Sequence, residues 1–232
     1  MKDFCFDLYG TLLDIRTDEE SEEFWNKICG LLKGERRGEE WKQRYRLLCE
    51  RERSRQRKQE FDLLPVFQQL PGKQNVGDAA ALAYAFRKAS VIRCRPFEGV
   101  TEMLAELKAR GAKLYLLSNA QACFTRAELE ENGLAQYFDG IMLSSEIGWK
   151  KPDLRFFERA ISKFGLIPEN TVYAGNDLRD DVGGAKGAGM TTVYMRTEQS
   201  GEYPNPSVPD IEVSDVKELS ETLFRLCENR EL

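Results

Sequence analysis

Three aspartates lie where predicted strands end. Asp7 lies at the carboxyl end of an apolar run over residues 3–8, and Asp177 and Asp181 follow a second run over residues 171–174. Ligands of open α/β sheets bind beyond the carboxyl ends of the strands. Three carboxylates that meet there would repel one another unless a cation joined them, and an oxygen-rich site of this kind suits Mg²⁺. Asp177 and Asp181 would share one face if they lay on the first turn of a helix.

The chain contains no histidine. This excludes Ser-His-Asp and Cys-His catalysis, and it excludes any metal site with histidine ligands. Catalysis must therefore depend on carboxylates, lysine, hydroxyl groups, arginine or a hard metal ion. The six cysteines form no CxxC pair, which argues against a zinc site and is typical of reduced thiols in a cytoplasmic protein.

The size and charge of the chain limit its partners. With 232 residues, it can form one large domain, or a core with a smaller inserted domain. The formal net charge of −5 does not favour nucleic acid or an anionic membrane as a partner. We find no apolar run of membrane-spanning length and no signal peptide, so we expect a cytoplasmic protein that acts on a small molecule. The sequence leaves the oligomeric state open.

Short apolar runs alternate with helical patterns over most of the chain. This alternation predicts a doubly wound, Rossmann-like parallel sheet with helices on both faces. The further predicted strands cover residues 113–117, 140–143, 171–174, 191–194 and 211–213, and the predicted helices cover residues 101–110, 154–164, 181–188 and 216–226.

Residues 15–94 have a different pattern, with no convincing strand. They contain apolar residues at helical spacing, which predicts an all-helical insertion after the first strand. The predicted helices cover residues 20–32, 38–60, 61–69 and 78–92. We therefore assign residues 1–14 and 95–232 to an α/β core and residues 15–94 to a separate helical unit.

Four segments of the chain resemble, in order, the four motifs of the haloacid dehalogenase-like hydrolase superfamily. Residues 6–12 (FDLYGTL) are similar to motif I, residues 116–119 (LLSN) to motif II, residues 150–153 (KKPD) to motif III, and residues 174–181 (AGNDLRDD) to motif IV. The resemblance covers residues 1–14 and roughly 95–229. It implies that residues 15–94 are a helical cap of the type inserted after motif I.

The resemblance implies a nucleophile and a set of metal ligands. Asp7 would attack phosphorus and form an aspartyl-phosphate, which divides one difficult step into two. Mg²⁺ would bridge Asp7, the Tyr9 backbone carbonyl and Asp177, with Asp181 as a second carboxylate that binds directly or through water. Asn176 is the alternative to Asp177, because the spacing to Asp181 allows two alignments.

The resemblance also implies the groups that hold the substrate. Ser118, Thr11 and Lys151 would bind the phosphoryl oxygens as negative charge develops, and Gly10 and Asn119 complete the predicted substrate-binding set. The helical cap would close over the substrate, exclude water and select the leaving group.

Position 9 departs from the typical phosphatases of this family. Those enzymes carry a second aspartate there, which protonates the leaving oxygen and then activates water, a contribution worth about 10²- to 10⁴-fold. A phenol with its usual pKa near 10 is a poor base at pH 7, although Tyr9 could still donate a proton or position water. The Tyr-Gly-Thr variant of motif I is the one that 2-haloacid dehalogenases carry.

Three functions are therefore open. The first is Mg²⁺-dependent hydrolysis of a small phosphomonoester. The second is metal-independent hydrolysis of a 2-haloacid through an ester on Asp7. The third is a catalytically weak module that binds a phosphorylated ligand or a partner. Dehalogenases carry Ser and Asn rather than Asp in motif IV, and a tyrosine where this chain has Phe156 and Phe157. We therefore favour the phosphatase prediction.

Overall fold

A computed structural model of the chain describes residues 2–32, 36–72 and 78–228. Met1 and residues 229–232 of the predicted core, and residues 33–35 and 73–77 of the predicted cap, lie outside these ranges. Within them the chain forms eight strands: β1 (Asp3–Phe6), β2 (Leu13–Thr17), β3 (Val91–Pro96), β4 (Leu114–Ser118), β5 (Gly140–Leu143), β6 (Thr171–Gly175), β7 (Thr191–Met195) and β8 (Ile211–Val213).

Six of these strands form one parallel sheet in the order β5-β4-β1-β6-β7-β8. The first strand of the chain is therefore central, and Phe6 pairs with Leu116 of β4 on one side and with Ala174 of β6 on the other. Both faces of β1 are buried, which is typical of a parallel sheet covered by helices on both sides. The predicted doubly wound α/β fold is confirmed.

Ten α-helices occur in the described ranges, and none of them is long and apolar enough to cross a membrane. The sequence did not predict α6 or α7. The helices are α1 (Glu22–Leu32), α2 (Gly38–Gln56), α3 (Leu64–Gln69), α4 (Ala79–Ser90), α5 (Val100–Ala109), α6 (Ala122–Glu131), α7 (Ser144–Ile147), α8 (Leu154–Phe164), α9 (Gly184–Gly187) and α10 (Val216–Glu228), and a π-helical turn, Leu178–Gly183, precedes α9.

The helices of the core divide between the two faces of the sheet. Helices α5 and α10 share a hydrophobic cluster with Phe4 and Phe6 of β1. Helix α8 packs on the opposite face, where Cys5 of the same strand lies. Successive side chains of β1 therefore pack into the helix layers on opposite faces of the sheet. This packing holds the end of the strand that Asp7 follows.

Helices α1 to α4 have a hydrophobic cluster of their own, rich in aromatic side chains such as Trp25, Phe67 and Phe86. The expectation that residues 15–94 contain no strand was wrong, because β2 and β3 pair antiparallel at the two ends of this segment. Their pairing joins residues far apart in sequence, so local patterns do not show it. The division into core and cap remains a prediction.

Candidate functional site

The ends of β1, β4 and β6 form a crevice at the point where the chain connections turn to opposite sides of the sheet. Asp7 follows β1 directly, Ser118 ends β4 and Asn176 follows β6. The Asp7 N–H donates to the Ala174 carbonyl at 3.0 Å and so continues the pairing beyond the strand. These ends enclose a cavity of about 200 Å³ lined by Asp7, Tyr9, Ser118, Asn119, Lys151, Asn176, Asp177, Asp180, Asp181 and Gln199.

A tight turn after the nucleophile carries the remaining motif I residues. Gly10 has a φ of +84°, and a Cβ at this position would lie 2.3 Å from Asn176 Nδ2, so only glycine fits. The Thr11 side chain is fully buried. Neither residue is among those that line the cavity. The Thr11 hydroxyl lies 3.5 Å from Asp7 Oδ2, and the substrate-binding roles of Gly10 and Thr11 stay predictions.

The Lys151 ammonium is the centre of the site. Its Nζ lies 2.7 Å from Asp7 Oδ1 and 2.7 Å from Asp181 Oδ1, and the side chain is 2% exposed. It also approaches the Tyr173 hydroxyl at 2.8 Å. Burial alone would lower the pKa of Lys151, but the carboxylates of Asp181 and Asp7 outweigh burial and raise it. Lys151 is therefore a fixed positive charge between two carboxylates.

Asp181 is engaged on both of its oxygens. Oδ1 accepts from Lys151, and Oδ2 accepts from the backbone N–H groups of Asn176 at 3.1 Å and Asp177 at 3.0 Å. This packing requires Gly175, because a Cβ there would lie 2.4 Å from Asp181 Oδ2. Burial raises the pKa of Asp181 to about 6, although Lys151 opposes the shift.

The two oxygens of Asp7 have different surroundings. Oδ1 accepts from Lys151 and, at 3.1 Å, from the Ser118 hydroxyl. Within the described ranges, Oδ2 is approached only by the Thr11 hydroxyl, at 3.5 Å. The contacts to Oδ1 fix the carboxylate, and Oδ2 is left as the oxygen that can attack a substrate.

Asn176 and Asp177, the two alternatives for motif IV, face different partners. The Thr11 hydroxyl lies 3.2 Å from Asn176 Oδ1 as well as 3.5 Å from Asp7 Oδ2, so these two oxygens point toward the same place. Asp177 caps the π-helical turn by accepting from the N–H groups of Arg179 and Asp180, and its other oxygen accepts from Tyr203. Both oxygens of Asp177 therefore have partners, although the residue lines the same cavity as Asp7.

This donor set limits the metal site that the protein can offer. Among the described residues, no group of three or more acidic or cysteine side chains is arranged to hold a metal ion. The oxygens that converge are one carboxylate oxygen of Asp7 and the amide oxygen of Asn176. Mg²⁺ is compatible with such a set, because it usually keeps several waters and binds only one or two carboxylates.

The Tyr9 side chain points toward α6 and the cap rather than toward the nucleophile. Its hydroxyl donates to Glu128 and lies 2.7 Å from Thr125 Oγ1. Arg87 of α4 donates to the same Glu128 carboxylate at 2.7 Å, and its guanidinium lies 5.9 Å from the centroid of the Tyr9 ring. Burial, and then the charge of Glu128, raise the pKa of Tyr9 well above 10. The predicted catalytic role of this phenol therefore finds no support in the geometry.

Asn119 connects the two loops that carry motifs II and III. Its Nδ2 donates to the Lys151 carbonyl at 3.0 Å, and its Oδ1 accepts from the Lys151 N–H at 2.8 Å. The same Nδ2 lies 3.3 Å from Asp180 Oδ2. Asn119 lines the cavity, and its side chain fixes the backbone of Lys151.

Three residues of the site were missed by sequence reasoning. We interpreted Asp180 only as a solvated residue at a helix start, yet it lines the cavity. Gln199 lies in the loop after β7, where no pattern indicates a functional role. Tyr173 belongs to an apolar strand, so its sequence context predicts a residue of the hydrophobic core, although its hydroxyl contacts Lys151. Its position near the carboxyl end of β6, next to β1, was the available signal.

Comparisons with known proteins agree with this geometry. The sequence model of a family described as haloacid dehalogenase-like hydrolases matches residues 1–189. A glyceraldehyde 3-phosphate phosphatase of Methanothermobacter thermautotrophicus is 33% identical over 133 residues, which are 56% of this chain and 59% of the relative. The chain therefore spans little more than half the length of this curated relative.

Solved structures of two activities share the fold. A haloacid dehalogenase-like phosphatase from Thermococcus onnurineus gives a TM-score of 0.63 at 22% identity, over 96% of this chain and 98% of that one. A 2-haloacid dehalogenase from Pseudomonas syringae gives a TM-score of 0.66 at 22% identity, over 97% and 99%. At this identity the comparison establishes the fold and does not discriminate between the two chemistries.

Loss of the central ammonium is expected to destabilise the protein. Lys151→Met leaves Asp7 and Asp181 buried without their shared cation, and breaking a buried ion pair in this way costs about 3–5 kcal/mol. Urea denaturation should show this loss of unfolding free energy. The control is Lys150→Met at the exposed neighbour, which we expect to change stability by less than about 0.5 kcal/mol. Equal effects of the two substitutions would contradict the central role of Lys151.

Two ion pairs between α4 and α6, one buried and one exposed, allow a second matched comparison of substitutions. Arg87 and Glu128 are 13% and 5% exposed, whereas the neighbouring pair of Lys88 and Glu131 is 52% and 37% exposed. We expect Arg87→Met to reduce the free energy of unfolding by about 3–5 kcal/mol. Lys88→Met should reduce it by no more than about 1 kcal/mol. A small effect of Arg87→Met in urea denaturation would show that the buried pair does not hold the cap.

Proposed function

The chain belongs to the haloacid dehalogenase-like hydrolase family, and on that premise we propose that it removes a phosphoryl group from a small molecule with Asp7 as the nucleophile. The observation that carries the proposal is the asymmetry of the Asp7 carboxylate. Asp7 lines the cavity; Lys151 and Ser118 fix its Oδ1, whereas among the described residues Oδ2 has only the Thr11 hydroxyl at 3.5 Å. The phosphatase activity named for the curated relative supports phosphorus as the centre that is attacked.

The reaction has two steps in this proposal. Asp7 Oδ2 attacks phosphorus, and the bond to the leaving oxygen breaks, which gives an aspartyl-phosphate. Water then attacks the same phosphorus and regenerates the Asp7 carboxylate. Lys151 and the Ser118 hydroxyl are placed to stabilise the negative charge that develops next to Asp7. Because Lys151 is already held between two carboxylates, it needs no rearrangement to do this.

The proposed cofactor is Mg²⁺. The Asp7 carboxylate and Asn176 Oδ1 would hold the ion, with the Tyr9 backbone carbonyl as the third ligand implied by the motif. When bound, the ion would shield the charge of the incoming phosphate. Asp181 would act on it indirectly, because both of its oxygens are engaged by Lys151 and by backbone N–H groups.

The cap is placed to select the substrate. Its segment 59–63 lies on the loops after β4 and β5, where Gln121 donates to the Phe61 carbonyl at 2.9 Å and accepts from the Leu63 N–H at 3.0 Å. The Glu60 N–H also donates to the Gly148 carbonyl at 3.2 Å. We propose that this segment forms the wall that the leaving group meets.

Carbon–halogen hydrolysis is the second candidate. The observation in its favour is the placement of Tyr9, because a halide departs without the proton that this side chain does not supply. In that reaction Asp7 Oδ2 would attack carbon instead of phosphorus, and the same ester chemistry would follow. A protein that only binds its phosphorylated ligand would turn over neither substrate.

Hydrolysis of para-nitrophenyl phosphate tests the proposal. We expect turnover with Mg²⁺, loss of turnover with EDTA, and a decrease of at least about 10³-fold for Asp7→Asn, because no other group can form the covalent intermediate. Asp3→Asn, at the opposite end of the same strand, is the matched control and should keep full activity. Release of halide from 2-chloropropionate, without phosphatase activity, would favour the second candidate.

Substitutions in motif IV test the metal ligands. Asn176→Ala is expected to weaken Mg²⁺ binding by about 10- to 100-fold, which is typical for residues that hold or orient a metal ligand. Asp177→Ala removes the cap of the turn and should change the affinity much less. Calorimetric titration of Mg²⁺ into each protein measures this without reference to turnover. A larger loss for Asp177→Ala would reverse the assignment.

A further inference from the structure

The acidic side chains that line the cavity are already hydrogen-bond acceptors. Within the described ranges these side chains are Asp7, Asp177, Asp180 and Asp181. Asp180 accepts from Arg179 Nε at 2.7 Å and from Asn119 Nδ2 at 3.3 Å, and the donors to the other three have been given above. Asp7 Oδ2 is the proposed nucleophile, and the other carboxylate oxygens already accept hydrogen bonds from protein donors. None of these side chains is therefore oriented to donate to a leaving group.

The other side chains that carry protons are also committed. Ser118 donates to Asp7, and Tyr9 donates to Glu128. The Lys151 ammonium donates to Asp7 Oδ1, Asp181 Oδ1 and the Leu117 carbonyl, so its three N–H groups are all engaged. In the part of the chain that the structure describes, no group in the cavity is therefore placed as a general acid.

From these hydrogen bonds we infer that the leaving oxygen departs without a proton, so that the substrate is a small acyl phosphate rather than an alkyl phosphate. The inference rests on the proposed function, with Asp7 as the nucleophile, and narrows its substrate class. The phosphoryl group would occupy the cavity of about 200 Å³ that Asp7 lines.

The first step balances without an acid. Asp7 Oδ2 forms a bond to phosphorus, the bond between phosphorus and the bridging oxygen breaks, and its electron pair leaves with a carboxylate. In the second step, water forms a bond to phosphorus, the bond to Asp7 breaks, and inorganic phosphate and solvent take up the water proton.

The acidity of the leaving group decides the size of the effect. A carboxylate has a usual pKa near 4 and is a stable anion at pH 7, so an acyl phosphate loses nothing when no acid is present. An alkoxide is not stable at this pH, and an alkyl phosphate forgoes the whole contribution of general acid catalysis, about 10²- to 10⁴-fold.

The test is the dependence of kcat/KM on the leaving group, measured with acetyl phosphate, para-nitrophenyl phosphate, phenyl phosphate and glycerol phosphate. Asp7→Asn corrects for spontaneous hydrolysis. We expect kcat/KM to fall in that order, by at least about 10²-fold from acetyl phosphate to glycerol phosphate. Values within tenfold of each other would overturn the inference and leave the proposed function intact. No turnover of any of the four would overturn both.

Two variants identify a hidden acid if one exists. Tyr9→Phe removes the phenolic proton, and Glu60→Gln removes the carboxyl group of the cap that Gln121 contacts at 3.2 Å. We expect each variant to change all four rates by a common factor. A selective loss on glycerol phosphate and phenyl phosphate in either variant would show that the substituted residue protonates the leaving group, and would overturn the inference.

Discussion

The ammonium of Lys151, held between Asp7 and Asp181, is the interaction on which the site depends. Moving one charged group into a protein interior costs several kcal/mol, and two neighbouring carboxylates also repel each other. One buried cation at 2.7 Å from both removes this repulsion. The carboxylates of Asp7 and Asp181 can therefore lie buried near each other because the motif III loop places its lysine between them.

The same interaction determines which oxygens remain for chemistry. Because Lys151 and Ser118 occupy Asp7 Oδ1, the nucleophile has one available oxygen in a fixed direction. Because Lys151 also engages Asp181 Oδ1, and backbone N–H groups engage its Oδ2, this carboxylate has no oxygen left for a direct metal contact. The amide oxygen of Asn176 is then the group next to the nucleophile, and this favours Asn176 over Asp177 in the alignment that the sequence left open.

The sequence predicted those parts of the molecule that local patterns encode. Strands β5 and β8 and helix α8 begin and end where the patterns place them, because each is a run of apolar or amphipathic residues bounded by turn residues. The cluster of Asp7, Ser118 and Lys151 followed from motifs that each come after a strand. The pairing of β2 with β3 could not be predicted in this way, since it joins Leu13 to Pro96 across the whole cap. The hydrogen bond between Tyr9 and Glu128 could not be predicted for the same reason, because Glu128 lies 119 residues further along the chain.

Tyr9 links the chemistry of the site to the position of the cap. Its phenol and Arg87 of α4 bind the two oxygens of one buried glutamate, so the loop that carries the nucleophile and the cap share an anchor. An aspartate at position 9 would be too short to span this distance and would place a second negative charge near Glu128. Tyrosine therefore gives up an acid next to the nucleophile and gains a contact that orders the cap. A leaving group that needs no proton is the substrate for which this exchange does not reduce the rate.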